Sequence, residues 1–240
     1  NTNKANINKQ QTINHEKVHR LKKKKKKKDE DSIAEETPVA LVYNGISHVV
    51  LMATPQDLAE LALGFSLSEG ILEKAGECYD IEVKTGVDGV EVHLEIAAAR
   101  FAALKERRRN ISGRTGCGLC GIDSLAAVMP DIAPLERQNR LDAGEISQVL
   151  QRFDQALPLR NQTGALHAAA WVVEGEIRQV FEDVGRHNAL DKLLGYLAKN
   201  DVNRADGWML VSSRASYEMV AKTAKLGIGI LVAVSAPTAL

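Results

Sequence analysis

Residues 208–234 read WMLVSSRASYEMVAKTAKLGIGILVAV, and this stretch decides the fold class. It opens with an apolar strand at Trp208 to Val211 and closes with a second apolar strand at Ile228 to Val234. The residues between them, Ser216 to Leu226, are predicted to form a helix. A strand, a helix and another strand in succession indicate an α/β sandwich in which at least part of the sheet is parallel.

The residues upstream of this stretch alternate in the same way. After a linker that contains Pro130 and Pro134, the predicted elements are a helix capped by Asp142 and running to about Ala156, strands at Ala169–Val173 and Ile177–Phe181 joined by a Glu174-Gly175 turn, and a helix from about His187 to Ala198. We therefore assign residues 131–240 to one C-terminal α/β domain.

Residues 37–130 have a different pattern, typical of hairpins packed on a helix. The predicted elements are a hairpin of Val39–Tyr43 and Ile46–Met52 around Asn44-Gly45, a helix capped by Thr54 with Pro55 in its first turn and Gly70 as its stop, and a second hairpin of Asp80–Lys84 and Val90–Ile96. This N-terminal subdomain ends in a basic stretch, Arg100 to Arg114, and a cysteine loop.

Residues 1–36 are predicted to be a disordered polar tail. They contain the unbroken run Lys22–Lys28, whose mutual repulsion opposes a compact state. They also hold eleven of the 31 basic and six of the 31 acidic residues, so the remainder carries twenty basic and twenty-five acidic residues. A mildly acidic folded part argues against a nucleic-acid binder.

Composition also bears on the compartment. No apolar run reaches the roughly 18 residues of a membrane span, and the polar N-terminal stretch lacks the apolar core of a secretory signal. Three cysteines, an odd number, give no disulfide framework and favour a reducing compartment. We expect a cytoplasmic protein without a membrane partner.

The segment Gly116-Cys-Gly-Leu-Cys-Gly121 is the main candidate for chemistry. A thiol reacts as its thiolate, which neighbouring cations stabilise, and the nearest cations in sequence are Arg107, Arg108, Arg109 and Arg114. A persulfide is likewise an anionic nucleophile. The glycines around Cys117 and Cys120 leave the segment pliable, as is needed if one sulfur must reach both a donor and an acceptor.

Other interpretations of the cysteines compete with this one. A thioredoxin-like redox motif normally follows a strand and opens a helix, and a structural zinc site would need two more ligands. His93 and Glu95 before the two cysteines resemble a zinc deaminase signature, but they alternate along a predicted strand, and Gly116 stands where that signature has proline. Cys78 is interpreted as half-buried packing.

Three polar stretches in the C-terminal half break the local pattern. They are residues 163–167, which place His167 at a strand start, residues 182–188, with Asp183, Arg186 and His187, and residues 211–216, with Ser213, Arg214 and Ser216. The last two each lie between a strand and a helix, where backbone amides and an arginine can bind phosphate. Helix capping alone would explain Asp183 or Ser213. Together the stretches predict a pocket for a phosphorylated, nucleotide-like ligand.

With these residues in view, the chain resembles the FdhD family of formate dehydrogenase accessory sulfurtransferases, from about Glu36 to Leu240. The matching stretches are residues 36–45 (ETPVALVYNG), 63–70 (LGFSLSEG), 113–121 (GRTGCGLCG), 167–170 (HAAA), 182–192 (EDVGRHNALDK) and 212–220 (SSRASYEMV). The family pattern continues beyond Leu240 and does not include the lysine run.

The resemblance implies a function. A cysteine desulfurase would load a persulfide onto Cys117, with Cys120 as its partner, and the acceptor would be the molybdenum or tungsten bis-molybdopterin guanine dinucleotide cofactor of formate dehydrogenase. It also implies a homodimer, a cytidine-deaminase-like C-terminal domain without a permanent metal, and a guanine-nucleotide end held by Arg114, His167 and the two arginine-bearing stretches. Two alternatives remain open, namely a non-catalytic chaperone that escorts the cofactor and a zinc-dependent deaminase-like hydrolase.

Overall fold

The computed structural model describes residues 12–22, 25–112, 132, 134–135 and 141–239. The strands are β1 (Ile13–Lys22), β2 (Lys25–Ala34), β3 (Thr37–Tyr43), β4 (Ile46–Ala53), β5 (Cys78–Thr85), β6 (Val90–Ile96), β7 (His167–Val173), β8 (Glu176–Asp183), β9 (Gly207–Arg214) and β10 (Leu231–Ser235). The helices are α1 (Leu58–Ser68), α2 (Ala98–Ser112), α3 (Ala143–Phe153), α4 (Pro158–Thr163), α5 (Arg186–Lys199) and α6 (Tyr217–Lys225). The predicted mixed α/β class is confirmed.

The N-terminal sheet has the strand order β4-β3-β6-β5 and contains both predicted hairpins. Asn44 and Gly45 take the positive φ angles, 44° and 81°, that a two-residue primed turn requires. Strands β3 and β6 are paired in parallel, and the first helix lies in the stretch of chain that connects them. One face of the sheet buries Leu41, Val92 and Leu94 against α1, so this half has its own core.

The predicted cap of α1 is wrong. The helix begins three residues later than expected, after Asp57, which lies in the left-handed region and makes no capping hydrogen bond through its side chain. The hydroxyl of Thr54 instead accepts a hydrogen bond from Val184 N at 3.1 Å. The Thr54 hydroxyl is therefore used in a contact with a residue distant in sequence and does not cap the helix.

The C-terminal sheet has the order β10-β9-β7-β8, with β9 and β10 parallel, as predicted for part of the sheet. Asp142 caps α3 as predicted, through Gly144 N and Glu145 N. The last strand begins at Leu231, three residues later than expected, and Ile228 is buried in the core before it. The short helix α4 was not predicted.

The two halves pack through α1 and α5, which lie between the sheets. The helices cross at Gly64 and Gly195, where a Cβ built on Gly64 would lie 1.7 Å from Asp191 O and one on Gly195 would lie 2.0 Å from Glu60 O. Helix α3 covers the opposite face of the C-terminal sheet with Val149 and Phe153. The order of layers is therefore N-terminal sheet, α1, α5, C-terminal sheet and α3.

The structure differs from the predicted disordered tail, because β1 and β2 form a two-stranded antiparallel sheet. The prediction weighed repulsion within the lysine run alone. The described backbone pairs Ile13–Lys22 with Lys25–Ala34 in one continuous antiparallel register, so backbone pairing outweighs that repulsion. No described helix is long and apolar enough to cross a bilayer. The predicted domain boundary at 130/131 lies outside the described residues.

Candidate functional site

One edge of the C-terminal sheet brings together most of the predicted site residues. Strand β7 runs antiparallel to both β8 and β9, so its first residue lies beside their last ones. His167 is paired in register with Asp183, and Ala168 N donates to Ser212 Oγ at 2.8 Å. The structure therefore gathers the three polar stretches at this edge, which we call the strand-end edge.

Asp183 faces into the protein. Its side chain is fully buried, and its carboxylate accepts hydrogen bonds from Gly185 N at 2.8 Å, Asn188 Nδ2 at 2.9 Å and Thr54 N at 3.1 Å. The fourth partner is Lys192 Nζ, at 2.6 Å. These contacts saturate the carboxylate, so Asp183 shapes the turn before α5 and its carboxylate is not available to a ligand.

Lys192 is the residue that sequence reasoning missed. It is fully buried, and besides Asp183 it donates to Thr54 O and Glu182 O, each at 3.2 Å. The contact links the end of β4 in one half to the turn between β8 and α5 in the other. A signal was available, because Lys192 stands within the apolar helical run Ala189–Leu197, where a lysine needs a buried partner.

The turn held by Asp183 leaves Arg186 and His187 at the start of α5. In the described part of the chain, the buried atoms Arg186 Nε and Ser216 Oγ have no hydrogen-bond partner. Ser216 is the cap residue of α6 but makes no capping hydrogen bond through its side chain. Unmatched polar atoms at two helix starts fit a ligand that carries acceptor oxygens, such as a phosphate.

The remaining candidates at this edge differ in exposure. Ser213 is buried, 5% exposed, and donates to Arg214 O at 3.2 Å, so its hydroxyl is used internally. The Arg214 side chain is exposed. Neither Asp183 nor Ser213 caps a helix here, since the cap residues are Gly185 and Ser216. Capping therefore does not account for these two residues.

The surroundings of both site histidines favour the neutral form of the imidazole. Burial, assisted by the nearby Arg186, lowers the pKa of His167 and of His187. His187 Nε2 lies 2.8 Å from Glu218 Oε2, but this contact falls short of hydrogen-bond geometry. Both ring nitrogens of a neutral imidazole can hydrogen-bond to a ligand, one as donor and one as acceptor.

We expect these lowered pKa values to make the fold less stable in acid. A histidine whose pKa lies below its unfolded value contributes stability that is fully present above about pH 6.5 and is lost as the pH falls from there through the folded pKa. We expect His187→Asn to lose less of its free energy of unfolding than wild type between about pH 8 and about pH 5. Urea unfolding at several pH values measures this.

Two buried carboxyl groups change the free energy of unfolding with pH in the opposite sense, but both are present in wild type and in His187→Asn. Burial raises the pKa of Asp57 and of Asp191. Their contributions cancel when the pH slopes of wild type and variant are compared. Equal slopes for the two proteins would contradict the assignment of His187.

A cavity of about 550 Å³ lies beside the strand-end edge. It is bounded by the end of α1, by α2, by the start of α5 and by one face of α6. His187 and Arg107 both line it. We call it the α6 cavity.

Cys117, Cys120 and Arg114 lie outside the described residues, so their predicted roles stay predictions. The helix that precedes them is described as far as Ser112. Arg107 Nη1 donates to Glu69 O at 3.1 Å and Arg108 Nη1 donates to Ser47 O at 2.8 Å. These arginines anchor α2 on the N-terminal half.

The rival zinc interpretation gains no support from the described residues. His93 pairs with Glu91 at 2.8 Å on the outer face of the N-terminal sheet, where Glu95 is exposed. No group of three potential metal ligands occurs in the part of the chain that the structure describes. Cys78 is half-buried, and burial raises the pKa of its thiol to about 11, which favours packing over reactivity.

Comparison with known proteins covers almost all of this architecture. The FdhD/NarQ family model matches residues 34–240. The sulfur carrier protein FdhD of Cupriavidus necator is 54% identical over 228 residues, 93% of this chain and 78% of that protein. The FdhD of Acinetobacter baylyi is 49% identical over 213 residues, 88% of this chain and 77% of that protein.

A solved structure shares the fold. The crystal structure of a formate dehydrogenase accessory protein from Desulfotalea psychrophila superposes with a TM-score of 0.75 at 24% identity, covering 96% of this chain and 87% of that one. At this identity the likeness concerns the fold. The family match and the two relatives show that the chain belongs to the FdhD/NarQ family.

Proposed function

We propose that this chain is a sulfur carrier that accepts a persulfide sulfur from a cysteine desulfurase on Cys117 and transfers it to the bis-molybdopterin guanine dinucleotide cofactor of formate dehydrogenase. The observation that carries the proposal is the family match over residues 34–240, which spans the cysteine loop and the strand-end edge alike. Relatives about half identical to this chain bear the name sulfur carrier protein. We place it in the cytoplasm, as a homodimer.

The described residues fit the nucleotide end of that acceptor. Arg186 Nε and Ser216 Oγ are buried without partners, and the exposed Arg214 lies at the same edge. Arginine forms paired, charge-assisted hydrogen bonds with phosphate oxygens. In this proposal the strand-end edge holds a diphosphate, with His167 beside it.

The proposed chemistry needs a thiolate. Cys117 attacks the outer sulfur of the donor's persulfide, the donor's S–S bond breaks, and the donor cysteine leaves as a thiolate. In the second step the Cys117 S–S bond breaks with its electron pair returning to Cys117. The two electrons that convert the delivered sulfur atom into sulfide come from the reduced metal of the acceptor cofactor. That cofactor is the substrate of this step.

Mass spectrometry tests the first step. After incubation with a cysteine desulfurase and free cysteine, we expect the Cys117 peptide of wild type to gain the mass of one sulfur atom. Cys117→Ala should prevent the gain on the loop and abolish support of formate dehydrogenase activity, because no other thiol in the loop is proposed to receive donor sulfur.

Cys78→Ala is the matched control. Its thiol is half-buried with a pKa of about 11, so this variant should load and support activity as wild type does. A wild-type loop that gains no sulfur would sink the proposal. Cys117→Ala with full activity would favour the escort function, in which the protein binds the cofactor without transferring sulfur.

A further inference from the structure

Helix α2 is firmly attached at its start. Asn44, in the turn between β3 and β4, donates through Nδ2 to Ile96 O at 3.1 Å and accepts from Ile96 N through Oδ1 at 2.8 Å. Ala97 N then donates to Glu77 O at 2.8 Å. Arg100, in the first turn of the helix, donates through Nε to Glu77 Oε1 at 2.9 Å. These contacts tie the start of α2 to two separate parts of the N-terminal half.

The end of α2 is attached by fewer groups. Among the side chains that the structure describes in this helix, from Ala98 to Arg108, only Leu104 is buried, and Phe101 is half-buried. Arg107 and Arg108 each donate to one backbone carbonyl, and both side chains are exposed. Segments with few buried apolar contacts and solvent-exposed hydrogen bonds open at a lower free energy than the core. The end of α2 can therefore detach while its start stays in place.

His48 of β4 lies against the end of α2. Its ring is half-buried, packs edge-on against the ring of Tyr43 with the centroids 5.6 Å apart, and lines a small cleft with Arg108. The charged groups around it are three cations of α2 and one carboxylate that follows α1, namely Lys105, Arg107, Arg108 and Glu69. Strand β3 adds no charge, because burial raises the pKa of Tyr43. A neutral imidazole is compatible with these cations, whereas a protonated one is repelled by them.

We infer that α2 is a hinged arm whose start stays attached while its end detaches, and that Arg108 is the positioning residue that holds the end on β4. The inference rests on the proposed function, in which one sulfur must meet both a donor protein and an acceptor cofactor. The segment from residue 113 follows α2 directly, so the start of that segment moves with the end of the helix.

The attached and detached states of the arm suit different steps. In the attached state Arg107 lines the same cavity as His187 of α5, so the end of α2 lies on the side of the strand-end edge, where delivery takes place. A desulfurase is a bulky donor and must bring its persulfide into contact with the segment after α2. The detached state moves that segment away from the rest of the chain and therefore serves loading.

Amide hydrogen exchange followed by mass spectrometry tests the attachment. In wild type, residues 104–108 should exchange at least about tenfold faster than the core strand β6, because they open without global unfolding. Arg108→Met keeps an apolar stem but removes the donor to Ser47 O. We expect it to accelerate exchange at residues 104–108 by about threefold to tenfold, as for the loss of one hydrogen bond, and to leave β6 unchanged.

His48 should make the attachment weaker in acid. Burial, assisted by Arg107 and Arg108, lowers the pKa of His48. Its contribution to attachment is fully present above about pH 6.5 and is lost as the pH falls through the lowered pKa. Protection of residues 104–108 relative to β6 should therefore fall between about pH 7.5 and about pH 5.5 in wild type, and not in His48→Gln. The same pH dependence in both proteins would contradict the role of His48.

The rate of sulfur loading supplies a readout that a purely structural role would not change. Loading of Cys117 by a cysteine desulfurase should accelerate in Arg108→Met by the same factor as hydrogen exchange, because both pass through the detached state. Loading by glutathione persulfide, a small donor that does not need detachment, should proceed as in wild type. Arg152→Met is the matched control, since Arg152 Nη2 also donates to a carbonyl, Gly175 O at 2.6 Å, but in the C-terminal half. It should change neither rate.

Three results overturn the hinged arm. They are exchange of residues 104–108 as slow as that of β6, an Arg108→Met protein that exchanges or is loaded by desulfurase as wild type is, and equal acceleration by both sulfur donors. The proposed function is judged separately in the same samples. Wild type that gains sulfur from neither donor would refute the carrier function, whereas normal loading with an unaltered Arg108→Met rate would refute the arm alone.

Discussion

Replacing Lys192 by methionine is expected to lower the free energy of unfolding by about 3–5 kcal/mol, the range for removing one partner of a buried ion pair. Methionine fills similar volume, so the cost arises from Asp183, which would remain buried without its charged partner. The same change leaves Thr54 O and Glu182 O without their donor. Urea unfolding of the purified variant measures the loss.

A surface ion pair of the same helix, α5, is the control. Lys199 of α5 lies 2.9 Å from Glu60 of α1, but its side chain is 55% exposed. Exposed pairs contribute less than about 1 kcal/mol, so Lys199→Met should be nearly neutral. If Lys192→Met proves too unstable to purify, Asp183→Asn in the same chain should recover part of the loss, because it removes the unmatched charge. Equal effects of Lys192→Met and Lys199→Met would contradict the expectation.

The buried pair also explains how the site is built. Asp183 sets the backbone of residues 184–188, from which Arg186 and His187 project, and Thr54 fixes that turn to the N-terminal half. The N-terminal half also carries α2, which runs to the start of the cysteine loop. The last described residue before the cysteine loop and the strand-end edge are thus attached to one junction, and the proposed transfer between the loop and the edge requires such an arrangement.

Much of the fold could be predicted because its signals are local. The Asn44-Gly45 turn, the Asp142 cap and the alternating strands all depend on residues close in sequence. The strand-end edge was also predictable, since polar residues that follow buried strands collect where those strands end. The order of the strands in each sheet was not predictable in this way. Periodicity indicates which residues face the core, but it does not indicate which strands are neighbours.

The orientation of the Asp183 side chain could not be predicted either, because it also depends on residues distant in sequence. A carboxylate in a turn before a helix is equally compatible with capping, ligand binding and an internal ion pair. The partner that distinguishes between these possibilities is Thr54 of the N-terminal half, which is 129 residues away in sequence. Thr54 itself was assigned to a local cap for the same reason. Local sequence describes what such groups can do, whereas the packing of the two halves determines what they do.

The crossing of α1 and α5 yields the last prediction: Gly64→Ala should destabilise the fold by at least about 3 kcal/mol, the upper part of the range for overpacking. Helix propensity acts the other way, since alanine is favoured over glycine in a helix by about 1 kcal/mol. The steric effect should prevail, because the new methyl group would lie 1.7 Å from Asp191 O, a backbone atom that moves only with its helix.

Gly76→Ala is the control, because a Cβ at Gly76 meets nothing within 4 Å. This variant should unfold within about 0.5 kcal/mol of wild type, as surface substitutions usually do. Urea unfolding monitored by circular dichroism compares the two variants, and Gly195→Ala, which would clash with Glu60 O, should resemble Gly64→Ala. A Gly64→Ala protein as stable as wild type would mean that the helices lie further apart than described. Separation of the helices would also move Thr54 away from Lys192, so the clash at Gly64 should disturb the turn that carries Arg186 and His187.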